Sequence, residues 1–276
     1  MRVVLAPVAG RPECSRALNV AFSLAGRLDA SVTGCHMRPH RYDDSRFAPA
    51  SAENLWKRRS GKKASRAEAK AMFEEKAGRA LYPLRRKASV TPSAHWVEMV
   101  GSPTKLMGIV GPVSDLIIVN RPTHSGTIAD LFMGSALLES GRPILILPRQ
   151  VRKNLGSRIC IGWNQSDQAA RTVAAITPLL ATAEAVTIVA CGPEDRAGPK
   201  SSQLANYLAH YGIRADIVHT RGRHIERELV GACRDVKANL LVTGAYSKNR
   251  WRERILGGTT EWLVRESKLP VLMQHG

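Results

Sequence analysis

Short apolar runs of strand length alternate along the chain with segments in which apolar residues recur at helical spacing. Runs that are apolar at nearly every position are typical of parallel strands covered by helices on both faces. In the first half this pattern predicts helices from Pro12, over Pro103–Val110 and near 129–140, and strands at Val3–Pro7, Ala30–Met37, His95–Val100, Asp115–Val119 and Ile144–Leu147.

The second half repeats this order of elements. Predicted helices begin after a Ser166 cap and cover Gln203–Tyr211, Ile225–Val236 and 258–267, between strands at Ile159–Trp163, Val186–Cys191, Ala215–His219, Leu240–Thr243 and Pro270–Met273. Asp115-Leu-Ile-Ile-Val matches Asn239-Leu-Leu-Val-Thr. A repeat of this length indicates domain duplication, since the units of solenoid proteins are much shorter. We therefore predict domains at 1–148 and 157–276, joined by a polar linker.

Charge distinguishes the first copy from the second. The chain has 41 Lys and Arg against 23 Asp and Glu, a formal net charge of +18. Residues 38–87 hold 15 of those cations and 6 of those acids, and include the run Lys57–Arg66. The following stretch, Ala67–Ala77, favours helix because Ala, Glu and Lys dominate it. We interpret 38–87 as a solvated, basic helical insertion; the alternative is an anion-binding arm.

The segment 243–260 has the composition of a phosphate loop. It begins at the carboxyl end of a predicted buried strand, where parallel sheets bind ligands, and it ends at a helix start, which favours anions. Glycines leave backbone N–H groups accessible, and threonines add hydroxyl donors. The residues that fit this role are Gly244, Lys248, Arg250, Gly257, Gly258, Thr259 and Thr260.

The spacing Gly244-x-x-Ser247-x(9)-Gly257-Gly258-Thr259 resembles the nucleotide loop of the universal stress protein family. The opening Ile159–Ser166 and the closing Leu269–Met273 are also similar to that family. The resemblance covers nearly the whole chain as two tandem copies. It implies an α/β fold of two open five-stranded parallel sheets, each with strand order 3-2-1-4-5 and helices on both faces, of the Rossmann-like adenine-nucleotide-binding type.

The resemblance also implies a ligand, ATP or a related adenine nucleotide, with Mg²⁺ left open. By motif position, Asn164 takes the place of an acidic residue and Ala190 or Cys191 lies near the adenine. The phosphates and ribose are expected at Gly244, Ser247, Gly257, Gly258 and Thr259.

Several positions depart from the family pattern. Asn164 lacks the negative charge of the usual Asp, and Ser247 introduces a Cβ where a glycine is usual. In the first copy Ala9 stands in the acidic position and Asn120 replaces the first glycine of the loop. Gly134-Ser135 resembles the closing pair of the loop by coincidence, because its distance to the next strand differs from that in the second copy. We therefore expect the first copy to be a partner that binds no nucleotide.

Other reactive patterns are weak. There is no Ser-His-Asp pattern and no pair of catalytic carboxylates, so catalysis is expected to be absent or limited to weak ATPase activity. Four residues, His219, His224, Glu226 and Glu228, cluster in sequence, but loop and helix-cap roles fit them better than a metal site. Cys14 follows Arg11 at a helix start, which can lower a thiol pKa, although a packed thiol is the simpler interpretation.

Four functions remain open from sequence. The first is a stress-response protein that binds ATP in its second copy, and the second is a scaffold or dimerisation module without nucleotide. The third is a nucleic-acid-associated protein that uses 57–66 and 248–254, and the fourth is an ATP-using enzyme. The family resemblance implies pairing of the two copies, a homodimer and an unknown protein partner. With no apolar run near about 18 residues and scattered cysteines, we expect a cytoplasmic protein without membrane contact.

Overall fold

The computed structural model describes residues 1–38, 63–122, 128–245 and 258–275. Contacts between residues divide the chain into two compact units, Met1–Ile144 and Leu145–Gly276. None of the helices in the described ranges is long and apolar enough to cross a membrane.

The first sheet has strand order β3-β2-β1-β4-β5. The pairs β1–β2, β1–β4 and β2–β3 are parallel. Its strands are β1 (Val3–Pro7), β2 (Ser31–Arg38), β3 (Ala94–Val100), β4 (Leu116–Asn120) and β5 (Ile144–Leu147). The helices of this half are α1 (Pro12–Leu28), α2 (Lys63–Arg79), α3 (Pro103–Val110) and α4 (Ile128–Glu139).

The second sheet has the equivalent order, β8-β7-β6-β9-β10. All four of its strand pairs are parallel. The strands are β6 (Arg158–Trp163), β7 (Ala185–Cys191), β8 (Ala215–Thr220), β9 (Leu240–Ala245) and β10 (Val271–His275). The helices are α5 (Asp167–Leu180), α6 (Ser201–Ala209), α7 (Ile225–Asp235) and α8 (Gly258–Glu266). The predicted fold class and the order 3-2-1-4-5 are confirmed in both halves.

Equivalent hydrogen bonds start the fourth strand of each sheet. Asp115 donates its backbone N–H to the Val3 carbonyl at 2.9 Å, and its carboxylate accepts the Val3 N–H at 3.0 Å. Asn239 donates its N–H to the Arg158 carbonyl at 2.9 Å, and its side-chain oxygen accepts the Arg158 N–H at 3.3 Å. The repeat detected in sequence is therefore a repeat of local structure.

Burial follows the predicted pattern. Every residue of β5 is buried, as are Leu116–Val119 of β4, because helices cover both faces of a parallel sheet. Each such Leu, Ile or Val contributes about 1.5–3 kcal/mol relative to an exposed position. Helix α1 begins at Pro12, as predicted, and packs its apolar stripe against the sheet.

Helix α2 is part of the first core, so the interpretation of 38–87 as wholly solvated is wrong for 63–79. Ala69, Phe73 and Ala77 recur every four residues and have no exposed surface. The Phe73 ring lies 5.7 Å from that of Phe22 and 5.5 Å from that of Trp96, between ring centroids. The charged residues that dominate this sequence occupy the other face of α2, where ion pairs such as Lys70–Glu74 (3.7 Å) form.

The place of α2 in the chain also corrects the idea of an insertion. It connects β2 to β3, as α6 connects β7 to β8, and is therefore the counterpart of α6. Part of the additional length of the first copy falls in 39–62, outside the described residues. Helix α2 itself has 17 residues against 9 in α6, and the segment between this helix and the next strand is also longer in the first copy. The densest part of the basic run, 57–62, belongs to that range.

Candidate functional site

A cavity of about 340 Å³ opens in the second unit at the carboxyl ends of β6, β7 and β9. This is the edge at which open parallel sheets bind ligands, next to the position where the strand order reverses. Its volume lies within the range of small-molecule sites. The lining residues come from four strand ends and two helices. They are 162–165 at the end of β6, 189–196 around the end of β7, Gly222, Ile225, Leu229, Thr243, Gly244, Thr259, Thr260 and Leu263.

At the end of β6, Asn164 is held by the start of helix α5. Its side-chain oxygen accepts hydrogen bonds from the Ser166 N–H at 3.3 Å and the Ser166 hydroxyl at 2.7 Å. Ser166 in turn accepts the Ala169 N–H at 3.2 Å, which confirms the predicted N-cap. The capping geometry therefore fixes the orientation of the Asn164 amide at the cavity.

Gln165 holds the loop 192–199 beside the cavity. Its amide nitrogen donates to the carbonyl oxygens of Arg196 at 3.1 Å and Gly198 at 3.0 Å. Its amide oxygen accepts the Arg196 N–H at 3.2 Å. Gln165 is buried and has a left-handed backbone (φ 59°), which is uncommon for a residue other than glycine. Trp163 adds a bond from its indole N–H to the Pro199 carbonyl at 2.8 Å.

The end of β7 supplies an apolar wall. Ala190 is buried, and Cys191 is half-buried; both residues line the cavity. Burial raises the pKa of the Cys191 thiol; the Thr220 hydroxyl opposes this shift and the Glu228 carboxylate adds to it. This thiol therefore stays neutral at ordinary pH.

Two glycines allow the loops after β7 and β8 to approach each other closely. Gly192 (φ 86°) and Gly222 (φ 74°) both have left-handed backbones. A Cβ at Gly222 would lie 2.5 Å from the Gly192 Cα, so a side chain there would force the loops apart.

Glu228 caps the start of α7 and holds the loop after β8. Its carboxylate accepts the N–H groups of Gly222 at 2.7 Å, Arg223 at 2.8 Å and His224 at 3.0 Å. The Thr220 hydroxyl and these N–H groups lower the pKa of Glu228 to about 2. Of the loop and helix-cap roles predicted for this cluster, the structure shows one for Glu228, whereas the His224 side chain makes no capping hydrogen bond. In the described ranges, no group of three His, Cys, Asp or Glu could hold a metal ion.

Gly244 is required by packing inside the protein. A Cβ at this position would lie 2.6 Å from the Ala169 backbone nitrogen in the first turn of α5. The sequence predicts a role for this glycine in ligand binding. The structure adds a reason within the fold, since only glycine lets β9 end against α5.

Helix α8 starts beside the cavity with Gly258, Thr259 and Thr260. A Cβ on Gly258 would enter open space, and this residue is exposed. The first N–H groups of a helix lack helical acceptors, and the helix dipole is positive at this end. Leu263, one turn further along, is buried at the cavity with Leu229.

The structure brings five of the ten predicted ligand residues to one cavity: Asn164, Cys191, Gly244, Thr259 and Thr260. Gly258 lies directly before Thr259 in α8. The remaining four, Ser247, Lys248, Arg250 and Gly257, lie outside the described residues. Sequence reasoning gave no role to Gln165 or to the loop 192–199, because a contact between residues about thirty positions apart leaves no local signal.

The first unit differs at the equivalent positions. Gly134 and Ser135 lie inside α4, where the Ser135 hydroxyl is 3.2 Å from that of Thr104. They do not begin a helix, which confirms that their likeness to the loop motif is coincidental. Cys14 is a packed thiol whose pKa is raised by burial, so the reactive alternative is wrong. Burial likewise raises the pKa of Cys35 to about 12.

The second unit is thus a parallel α/β domain with a ligand-sized cavity at its carboxyl edge. Comparison with known proteins gives its family: the sequence profile of the Universal stress protein family matches residues 165–275. The second unit therefore matches the universal stress proteins in sequence, and the predicted resemblance is confirmed.

Solved structures extend the likeness to both halves. A universal stress protein from Archaeoglobus fulgidus is 14% identical, covers 99% of this chain and 98% of its own, and has a TM-score of 0.72. A putative universal stress protein from Pseudomonas aeruginosa UCBPP-PA14 is 15% identical, covers 100% and 93%, and has a TM-score of 0.57. At these identities the likeness is one of fold. No curated protein matches the chain by sequence.

Proposed function

We propose that the second unit binds ATP or a related adenine nucleotide in the cavity at the ends of β6, β7 and β9. The observation that carries the proposal is the convergence of Asn164, Cys191, Gly244, Thr259 and Thr260 on one cavity in a universal stress protein domain. The cavity volume of about 340 Å³ is sufficient for the base and ribose of a nucleotide, with phosphates at the open side.

The chemistry of the walls supports an orientation for this ligand. Ala190 and Cys191 offer an apolar surface to the adenine. The helix start at Gly258–Thr260 offers N–H and hydroxyl donors to the phosphates. Lys248 and Arg250, outside the described residues, would add positive charge on the phosphate side.

We further propose that nucleotide binding changes the conformation or partners of the protein during stress, with hydrolysis absent or slow. Asp195 is exposed at the cavity, whereas two other nearby acids are engaged elsewhere: Glu194 accepts the Ser201 N–H at 2.6 Å and its hydroxyl at 2.9 Å, and Glu228 caps α7. The two engaged carboxylates are therefore poorly placed to activate water or hold Mg²⁺.

The first copy is proposed to serve as a partner that binds no nucleotide. Ala9 offers no side-chain hydrogen bond at the end of β1, and Asn120 stands where the second copy has Gly244. We propose domains at 1–148 and 157–276 and a homodimer, as the family resemblance implies.

Isothermal titration calorimetry with ATP tests the site directly. We expect wild-type protein to bind with a Kd between about 1 μM and 1 mM. Gly258→Glu places a negative side chain in the open space at the start of α8, and we expect it to weaken ATP binding by at least about tenfold, because like charges repel. The matched control is Gly108→Glu, an exposed glycine of α3 whose Cβ also meets open space.

Absence of heat with the wild type would favour the scaffold interpretation. If the wild type and Gly258→Glu bound ATP with equal affinity, the nucleotide would not bind at the start of α8. If Gly108→Glu weakened ATP binding as much as Gly258→Glu, the effect would be one of net charge.

A further inference from the structure

The strand order indicates which strand end lies next to the adenine, the ribose and the phosphates of the proposed ligand. In the second sheet β6 lies between β9 and β7. In the nucleotide proposal, on which this inference rests, phosphates lie at α8 and the end of β9, and adenine lies at the end of β7. The ribose therefore lies over the end of β6, beside Asn164.

The polarity of Asn164 at this position is fixed by its neighbour. A backbone N–H can only donate, so the amide atom that faces the Ser166 N–H at 3.3 Å must be the oxygen Oδ1. The Ser166 hydroxyl, at 2.7 Å, engages the same oxygen. The polar group that Asn164 retains for a ligand is its amide nitrogen Nδ2, which is a hydrogen-bond donor.

A cationic residue lines the same cavity as this donor. Arg196 lines the cavity and is exposed, and its backbone is attached to Gln165, the residue after Asn164, by bonds of 3.1 and 3.2 Å. Two acids precede it in the loop. Glu194 is engaged by Ser201 through both carboxylate oxygens, whereas Asp195 is exposed at the cavity.

We infer that the ribose subsite selects an adenine nucleotide that carries a phosphate on the 2′ or 3′ oxygen of its ribose. A carboxylate at the end of a strand suits free ribose hydroxyls, which donate to it, whereas cationic and donor groups suit a ribose phosphate. Asn164 and Arg196 together form a subsite of the second kind. The Asp195 carboxylate repels a ribose phosphate and therefore limits how strongly the subsite prefers such a ligand.

Three ligands that differ only at the ribose test this inference: AMP, adenosine 2′,5′-bisphosphate and adenosine 3′,5′-bisphosphate, with ATP as a reference. We expect at least one bisphosphate to bind wild-type protein about tenfold or more tightly than AMP, since a hydrogen bond to a charged group is worth about that factor. The preferred isomer identifies the oxygen that is recognised.

Asn164→Asp provides the sharpest variant, because it keeps the oxygen that Ser166 engages and replaces the donor with an anionic acceptor. We expect it to reduce the ratio of bisphosphate to AMP affinity to about one or below. Arg196→Gln should lower the same ratio, and Asp195→Asn should raise it. The control is Asn206→Asp on the exposed face of α6, which adds the same charge away from the cavity and should leave the ratio unchanged.

Wild-type protein that binds AMP as tightly as both bisphosphates would overturn the inference, and so would an unchanged ratio in Asn164→Asp. In either case, binding of ATP would leave the nucleotide proposal standing. Failure of all four ligands to bind would overturn both proposals.

Discussion

Gln165 and Arg196 exchange two hydrogen bonds across thirty-one residues of sequence, one from the side-chain amide to the Arg196 carbonyl at 3.1 Å and one from the Arg196 N–H at 3.2 Å. With its third bond, to the Gly198 carbonyl, the Gln165 side chain provides three hydrogen bonds to the backbone of a loop that has no regular structure. The loop in turn forms one wall of the cavity. The hydrogen bonds of Gln165 therefore stabilise the fold and also maintain the shape of the cavity.

Gln165→Glu should therefore destabilise the second unit. The substitution keeps the shape of the side chain but replaces its donor with an anion that faces two carbonyl oxygens. Because buried polar groups that lose their partner are costly, we expect the free energy of unfolding to fall by about 1–3 kcal/mol. Urea denaturation followed by circular dichroism measures the change, and ATP affinity should fall with it.

Gln203→Glu is the control for that change. The Gln203 side chain acts as an acceptor of the Lys200 N–H at 2.8 Å, and a carboxylate accepts equally well at a helix N-terminus. This variant should be as stable as the wild type or slightly more so. Equal loss of stability in the two variants would contradict a specific role for the Gln165 donor.

Docking of α2 in the first unit gives a second prediction. A Cβ at Gly34 in β2 would lie 2.5 Å from the Phe73 ring, so Gly34→Ala should destabilise the protein by about 1–3 kcal/mol through overpacking. Gly78→Ala, on the exposed side of the same helix, adds a Cβ in open space and should stabilise it by about 0.5–1 kcal/mol. Thermal denaturation of both variants tests the opposite signs; a stabilised Gly34→Ala would mean that α2 packs elsewhere.

This helix also marks where sequence reasoning fails. Strands such as Val3–Pro7 and Ile144–Leu147 are predicted with their observed bounds. A short run that is apolar at nearly every position is typical of a strand buried on both faces. Helix α2 carries so many charges that its buried stripe of Ala69, Phe73 and Ala77 is obscured. Two of those residues are alanines, which contribute little to an apolar pattern, and the partner surface that buries them is visible only in three dimensions.

The site divides in the same way. Asn164, Gly244 and Thr259 could be predicted because a family motif fixes their places at strand ends and at a helix start. The donor polarity of Asn164 could not be predicted, since it depends on which amide atom faces Ser166. The contribution of Gln165 depends on a loop without a motif.

The Glu228 cap predicts a specific dependence of stability on pH. Its pKa in the folded protein is about 2, below its ordinary value of 4.5, so its contribution is fully present above pH 4.5 and is lost as pH falls towards 2. The stability difference between the wild type and Glu228→Gln should therefore shrink through that window. Thermal denaturation at several values between pH 7 and pH 2.5 measures it.

Glu226→Gln controls for the loss of a charge in the first turn of α7, since Glu226 makes none of the three backbone contacts of Glu228. Its difference from the wild type should vary much less with pH. A difference for Glu228→Gln that stayed constant down to pH 2.5 would exclude the cap as its source.

Thiol labelling connects the cavity to the proposed ligand. Four of the five cysteines are buried, whereas Cys191 is half-buried at the cavity wall. N-ethylmaleimide should therefore modify one thiol of the native protein. The rate should rise with pH because the thiolate is the nucleophile, and the rise should extend to higher pH than for a free thiol because burial raises the pKa of Cys191. Saturating ATP should slow this reaction by covering the β7 wall, and Cys191→Ser should abolish it. Mass spectrometry counts the adducts; several adducts without denaturant, or a rate indifferent to ATP, would contradict an adenine bound beside Cys191.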